Sequence, residues 1–270
     1  MIERLSGQRN GLLTHEQGRG LPEDAAGRDD PPAGAHPISY VTPGHPLSLQ
    51  HGRRAWYTIL SVSDRVTCLC LTTARRTWTL ARALVNWRQQ TYEDRHLIVV
   101  SDGEGADTIA KIVRAQSDAR IRHVHYDSAP ENLGAKHNLA MQLVPEGYLA
   151  WWADDDWNDP ARLAVTMCQM QERDAPIGGS ASVLAYRLRD RRAFVYRPPP
   201  RYLVPGTVVA RADVACRARF SDRDRGEDYA WITALLGVFR YVDVADPQLY
   251  VALIHHDNTG NSLARDEGIG

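Results

Sequence analysis

Asp154-Asp155-Asp156 sets three carboxylates side by side. Such groups repel one another unless water or a cation relieves them. A hard divalent ion takes oxygen ligands, and Mg²⁺ commonly combines one or two carboxylates with phosphate oxygens. The triplet therefore suits a metal–diphosphate; the plain alternative is a solvated acidic turn with a helix cap. It follows the apolar Tyr148-Leu149-Ala150-Trp151-Trp152 and precedes Asn158-Asp159-Pro160, which puts it at a strand end. Two further polar groups close apolar runs in the same way. Thr72-Thr73-Ala74-Arg75-Arg76 follows residues 65–71, and Ser101-Asp102-Gly103 follows residues 96–100. Glu227-Asp228 opens an apolar helix pattern, and His255-His256-Asp257-Asn258 follows an apolar run over residues 249–254.

The elements that must position these groups alternate. Short apolar runs at 65–71, 96–100, 121–126 and 147–152 read as buried strands. Between them lie helical spacings: Trp78, Leu80, Leu84, Val85 and Trp87; Ile109, Ile112 and Val113; and residues 135–144 with Leu139 and Leu143. Pro160 is placed to begin the next helix, with Asp159 as its cap. Four strand–helix units in succession predict an α/β fold with a parallel sheet and covering helices. The second half is less regular. Strands are expected at 180–186, 193–196, 207–210 and 241–244, with a helix over 228–236, which makes the sheet mixed. Ligands of parallel sheets collect at the carboxyl ends of the strands. Residues 72–76, Asp102 and Asp154 to Asp156 all fall there.

Composition narrows the partners. Among 270 residues, Lys and Arg number 32 and Asp and Glu 33, so the chain has no global field for a polyanion, and nucleic acid is not an expected partner. No stretch approaches the ~18 apolar residues of a membrane span. Glu3, Arg4 and Arg9 stand where a signal peptide would need an apolar run, and the four cysteines form no CxxC pair, so a cytoplasmic, thiol-reduced protein is expected. The first fifty residues hold thirteen glycines and prolines against twenty-two in the other 220. Residues 1–54 are expected to form a disordered or loosely docked extension and residues 263–270 a tail.

Several segments, in order, resemble glycosyltransferase family 2 with the GT-A fold. They are residues 66–76, Gln89-Gln90-Thr91-Tyr92, Val99-Val100-Ser101-Asp102-Gly103, Asn132-Leu133-Gly134-Ala135-Lys136-His137-Asn138, Ala153-Asp154-Asp155-Asp156-Trp157 and Gly226-Glu227-Asp228-Tyr229. Ser101 and Ala153 depart from the family pattern, where aspartates stand. The resemblance implies a GT-A (nucleotide-diphospho-sugar transferase) domain over 55–262, with a Rossmann-like mixed sheet, a nucleotide half at 65–157 and an acceptor half at 158–262.

It also implies an inverting, metal-dependent transfer from a nucleotide sugar, UDP-linked, to an unknown acceptor hydroxyl. Asp102 would accept from the uracil imide. Thr72, Thr73, Arg75, Lys136, Asn138, Asp154 and Asp155 would line the nucleotide sugar, with Lys136 toward the diphosphate. Asp156 and Asp154 would hold Mn²⁺ or Mg²⁺, with His256 as a third ligand. Asp228 would be the general base, with Glu227 as its alternate. Trp151 and Trp152 alternate sides, so one is expected in the core, while Trp78 and Trp87 read as helix packing. Residues 187–206, with Arg187, Arg189, Arg191 and Arg192, would form the acceptor wall. A nucleotidyltransferase would share the sheet and the acidic site, but residues 72–76 lack the glycines of a phosphate loop. A non-catalytic nucleotide- or sugar-binding relative is the remaining alternative.

Overall fold

A computed structural model describes residues 65–258. The expected extension at 1–54, the start of the domain at 55–64 and the tail at 263–270 lie outside the described residues. The elements, in chain order, are β1 Val66–Leu71, α1 Thr77–Arg88, β2 Arg95–Asp102, α2 Ala106–Arg114, β3 Ile121–Tyr126, α3 Leu133–Met141, β4 Tyr148–Trp151, β5 Trp157–Asn158, α4 Arg162–Glu172 and β6 Ile177–Gly179. There follow β7 Val183–Arg187, β8 Arg192–Tyr196, β9 Val209–Arg211, α5 Ala212–Ala215, α6 Glu227–Val238, β10 Tyr241–Asp243 and β11 Tyr250–Ile254.

Seven strands form the main sheet in the order β10-β6-β9-β4-β1-β2-β3. Only β9 runs antiparallel to its neighbours, β4 and β6. Because strand side chains alternate, β1 serves two cores. Val66, Cys68 and Cys70 pack with α1, α2 and α4, whereas Leu69 packs with α3, α5 and α6. In α1 the buried set Leu80, Ala83, Leu84 and Trp87 follows one helical face. The adjacency β4-β1-β2 brings residue 72, Asp102 and the segment after Trp151 to one edge.

A second sheet, β5-β11-β7-β8, was not expected. β5 is two residues long and pairs antiparallel with β11, Tyr250 opposite Asn158 and Val251 opposite Trp157. No periodicity can register in two residues, which is why no local pattern announces it. The short β6, with two glycines, and the one-turn α5 escaped for the same reason. The helix assigned to start at Pro160 starts at Arg162 instead. The Asp159 carboxylate accepts from the Ala161 N–H at 2.8 Å, a turn that leads into the helix. Trp151 and Trp152 are both in the core, correcting the expectation of one.

Candidate active site

The acid cluster lies in the loop between β4 and β5. Asp154 and Asp155 are buried, and Asp156 is half-buried. The three do different things. Asp156 accepts from the Tyr250 hydroxyl and, at 2.8 Å, from the Leu253 N–H, so it pins β11. Burial, then the Asp155 charge, pushes its carboxyl up to about 8. Asp155 accepts from the Asn258 amide at 3.1 Å and lies 3.1 Å from His255 Nε2. His255 Nδ1 accepts from the Asp257 N–H, so the network assigns the ring proton to Nε2, donated to Asp155. Asp154 is raised by burial, against the pull of Arg76, and its Oδ2 is buried without a hydrogen bond. The neighbouring Thr72 hydroxyl is likewise buried; it faces the Asp154 carboxyl, which it holds down by hydrogen bonding, and has no other partner.

His256, the expected metal ligand, is exposed and lies 3.1 Å from Asp257. His255 reaches the acid cluster in its place. Strand alternation implied that only one of the two could do so; which one depended on the pairing of β11 with β5. His255, His256 and Asp257 nonetheless offer ligand atoms within 4.8 Å of one another. Trp78, read as helix packing, is half exposed and sets its ring edge against His255, centroids 5.3 Å apart.

Arg75 is exposed, and Arg76 is the arginine that reaches the acids: its Nη1 lies 2.7 Å from Asp154 and 3.1 Å from Asp155. The sequence showed two adjacent arginines before a helix, and only the phase of the turn separates them. Thr73, half-buried, accepts through its carbonyl from the Arg76 N–H at 3.0 Å and closes that turn.

Lys136 is buried in α3 and does not stand free for a diphosphate. It donates to the Thr72 carbonyl at 2.8 Å and lies 3.2 Å from an Asp102 carboxylate oxygen. Burial lowers its pKa while Asp102 holds it up. Lys136 thus fixes the Asp102 carboxylate, which is partly exposed at the end of β2. Asn138 has no free amide: it donates to the Phe220 carbonyl at 3.0 Å and accepts from the Phe220 N–H at 2.9 Å. Asn132 caps α3 by accepting from the Ala135 N–H. Ser101 departs from the family pattern with a purpose of its own, its hydroxyl lying 2.7 Å from His123 and 3.0 Å from His125.

Glu227 and Asp228 form the first turn of α6, entered through Gly226 at φ +65°. Burial, then Asp228, pushes Glu227 up to about 7, and burial raises Asp228. Glu227 sits 3.9 Å from His137, one residue after Lys136 on α3, so one helix touches both the Asp102 pocket and this carboxylate pair. Residues 187–206 also reach the pair. Tyr202 stacks on Tyr229 with centroids 5.6 Å apart, and the Tyr202 phenol is raised by burial and then by Asp228. Tyr196 feels the same carboxylate, after burial. The arginines of this segment are less engaged with the site: Arg187 pairs with Asp190 at 2.7 Å, and Arg191 and Arg192 are exposed.

The family model described as glycosyl transferase family 2 matches residues 68–204. The chain is similar in fold to the crystal structure of S. aureus TarS 1-349 in complex with UDP-GlcNAc, with a TM-score of 0.60 at 14% identity, over 73% of this chain and 61% of that one. It is similar also to S. aureus TarS 1-349 in complex with UDP, with a TM-score of 0.55 at 12% identity, over 70% and 60%. A longer S. aureus TarS structure gives 0.56 at 14% identity, over 70% of this chain and 37% of that one. The chain therefore spans less than two thirds of these structures. No curated protein matches it. With the family match over half its length, and a GT-A sheet carrying the matched motifs at its strand ends, the chain belongs to glycosyltransferase family 2.

Proposed function

We propose that this chain transfers a sugar from a UDP-linked donor to an acceptor hydroxyl with inversion at the anomeric carbon. One observation carries the reading: Asp102, Thr72 and Asp154-Asp155 end three adjacent strands, and α3 connects that edge to Glu227 and Asp228. Asp102, held by Lys136, presents a carboxylate to an imide N–H. Thr72 Oγ1 and Asp154 Oδ2, both buried with no partner beyond each other, suit a bound hydroxyl or metal ligand. The TarS structures solved with UDP-GlcNAc and UDP support the same donor class.

A divalent cation fits the donor set. Asp155 would bring a carboxylate, Asp154 its Oδ2, and His255 its imidazole once Nε2 gives up the proton it shares with Asp155. Such oxygen and nitrogen donors suit Mn²⁺ or Mg²⁺. When bound, the ion neutralises the leaving diphosphate. Asp228 then accepts the acceptor's proton as its oxygen attacks the anomeric carbon from the face opposite the diphosphate. Burial raises Asp228, which makes it a better proton acceptor once ionised. Tyr196, Tyr202 and Tyr229 give the acceptor an aromatic wall.

The test is Asp228→Asn. It should lower kcat by about 10²–10⁴-fold and leave UDP affinity unchanged. UDP with Mn²⁺ should raise the melting temperature of both proteins by mass action. Normal turnover in Asp228→Asn sinks the base assignment. Stabilisation by GDP, CDP or TDP in preference to UDP sinks the donor.

A further inference from the structure

Arg76 occupies the centre of the acid cluster. Its Nη1 bridges Asp154 Oδ1 and Asp155 Oδ2, and its Nη2 donates to the Asp257 carbonyl at 2.7 Å. Only 17% of its side chain is exposed, against 2% and 7% for the two carboxylates. One guanidinium thus ties together the turn after β1, the loop after β4 and the segment after β11. Its hold extends to His255. Arg76 anchors the Asp257 carbonyl, and the N–H of the same residue donates to His255 Nδ1, which leaves the proton on Nε2, facing Asp155. A nitrogen that carries a proton cannot ligate a metal. The same oxygen, Asp155 Oδ2, meets Arg76, His255 and Asn258. The whole arrangement is therefore self-consistent with Arg76 as its cation.

We propose that Arg76 is the built-in counter-ion of this cluster and competes with a divalent cation for Asp154 and Asp155, so that metal and nucleotide bind cooperatively through it. This rests on the nucleotide-donor reading above. A dication beside a buried guanidinium is repelled, and a guanidinium removed from its carboxylates needs new acceptors. A diphosphate supplies them, since arginine binds phosphate oxygens through its planar fork. Coupling of this kind is reciprocal: nucleotide tightens metal as much as metal tightens nucleotide.

The full chain would be titrated with Mn²⁺ alone, reading free Mn²⁺ by electron paramagnetic resonance, and then again at saturating UDP. Wild-type protein should bind Mn²⁺ weakly alone and about 10-fold or more tightly with UDP, within the usual span of coupling. Arg76→Gln should bind Mn²⁺ alone about 10-fold more tightly than wild type, with most of the UDP enhancement gone. Arg76→Lys keeps the charge without the fork and should fall between, and it serves as the folded variant if Arg76→Gln melts early. Equal or weaker Mn²⁺ binding by the variants without nucleotide overturns the proposal, as does absence of Mn²⁺ binding in every form. A protein that binds Mn²⁺ but no nucleotide instead overturns the donor reading, because the nucleotide-free comparison stands by itself.

Discussion

Asp156 accepts from Tyr250 and Leu253, whereas Asp155 faces His255, Asn258 and Arg76. Adjacent aspartates therefore separate into a strut and, on the proposed reading, a ligand. Asp155→Asn is expected to weaken Mn²⁺ binding by about 10-fold or more, since ligand charge sets the affinity of such sites. Asp156→Asn keeps an oxygen for the Leu253 N–H and should leave Mn²⁺ affinity within about threefold while lowering the denaturation midpoint. Loss of Mn²⁺ binding in a folded Asp156→Asn protein would show the roles reversed. Glu227 gives a pH signature. Its carboxyl rises from 4.5 to about 7, so the folded state binds the proton more tightly than the unfolded state. The resulting stability is full below the unfolded value and is lost as pH rises through about 7. Melting temperature should thus decline across that window, and Glu227→Gln should flatten the decline. An unchanged slope in the variant would remove Glu227 as the cause.

At the scale of elements, α3 joins the two halves of the site. Lys136 fixes Asp102 from its buried face, Asn138 clasps the Phe220 peptide, and Gly134 lets the helix approach the segment before α6. A Cβ on Gly134 would lie 1.8 Å from the Ser221 carbonyl oxygen and 3.3 Å from Glu227 Cβ. Backbone cannot yield as a flexible side chain does. Gly134→Ala is expected to cost about 3 kcal/mol or more, above the usual range for overpacking, and to reduce turnover by shifting α6. Chemical denaturation and kcat together would check it. Wild-type stability in that variant would mean that α3 and α6 are not in tight register.

At the scale of the molecule, the two sheets meet around Arg162. Its guanidinium donates to the Gly206 carbonyl at 2.6 Å and to the Trp151 carbonyl at 3.1 Å, and it lies over the Trp152 and Tyr250 rings. Burial lowers its pKa, so the charge is held at a cost that these acceptors offset. Arg162→Met fills the space but leaves both carbonyls without that donor. We expect a loss of about 2–4 kcal/mol, as for unsatisfied buried acceptors, together with weaker Mn²⁺ binding because His255 directly follows β11, whose Tyr250 lies against Arg162. Urea unfolding and Mn²⁺ titration would measure both. A stability change below about 0.5 kcal/mol, the level of an ordinary surface substitution, would show that the sheets are held by other contacts.

The sequence by itself determined the parallel part of the main sheet, because β1 to β4 and their helices are each long enough to read. It also determined the strand-end placement of Asp102 and the acid triplet, which follow apolar runs, and the helix-start placement of Glu227–Asp228, which opens one. Only the tertiary structure decided between neighbours. Arg76 rather than Arg75 reaches the acids, and His255 rather than His256, because each choice depends on the phase of a short turn or strand set by distant partners. The two-residue β5 is the clearest case. Its pairing with β11 brings residues a hundred positions downstream onto Asp155, and no local pattern encodes a contact whose energy comes entirely from the other strand.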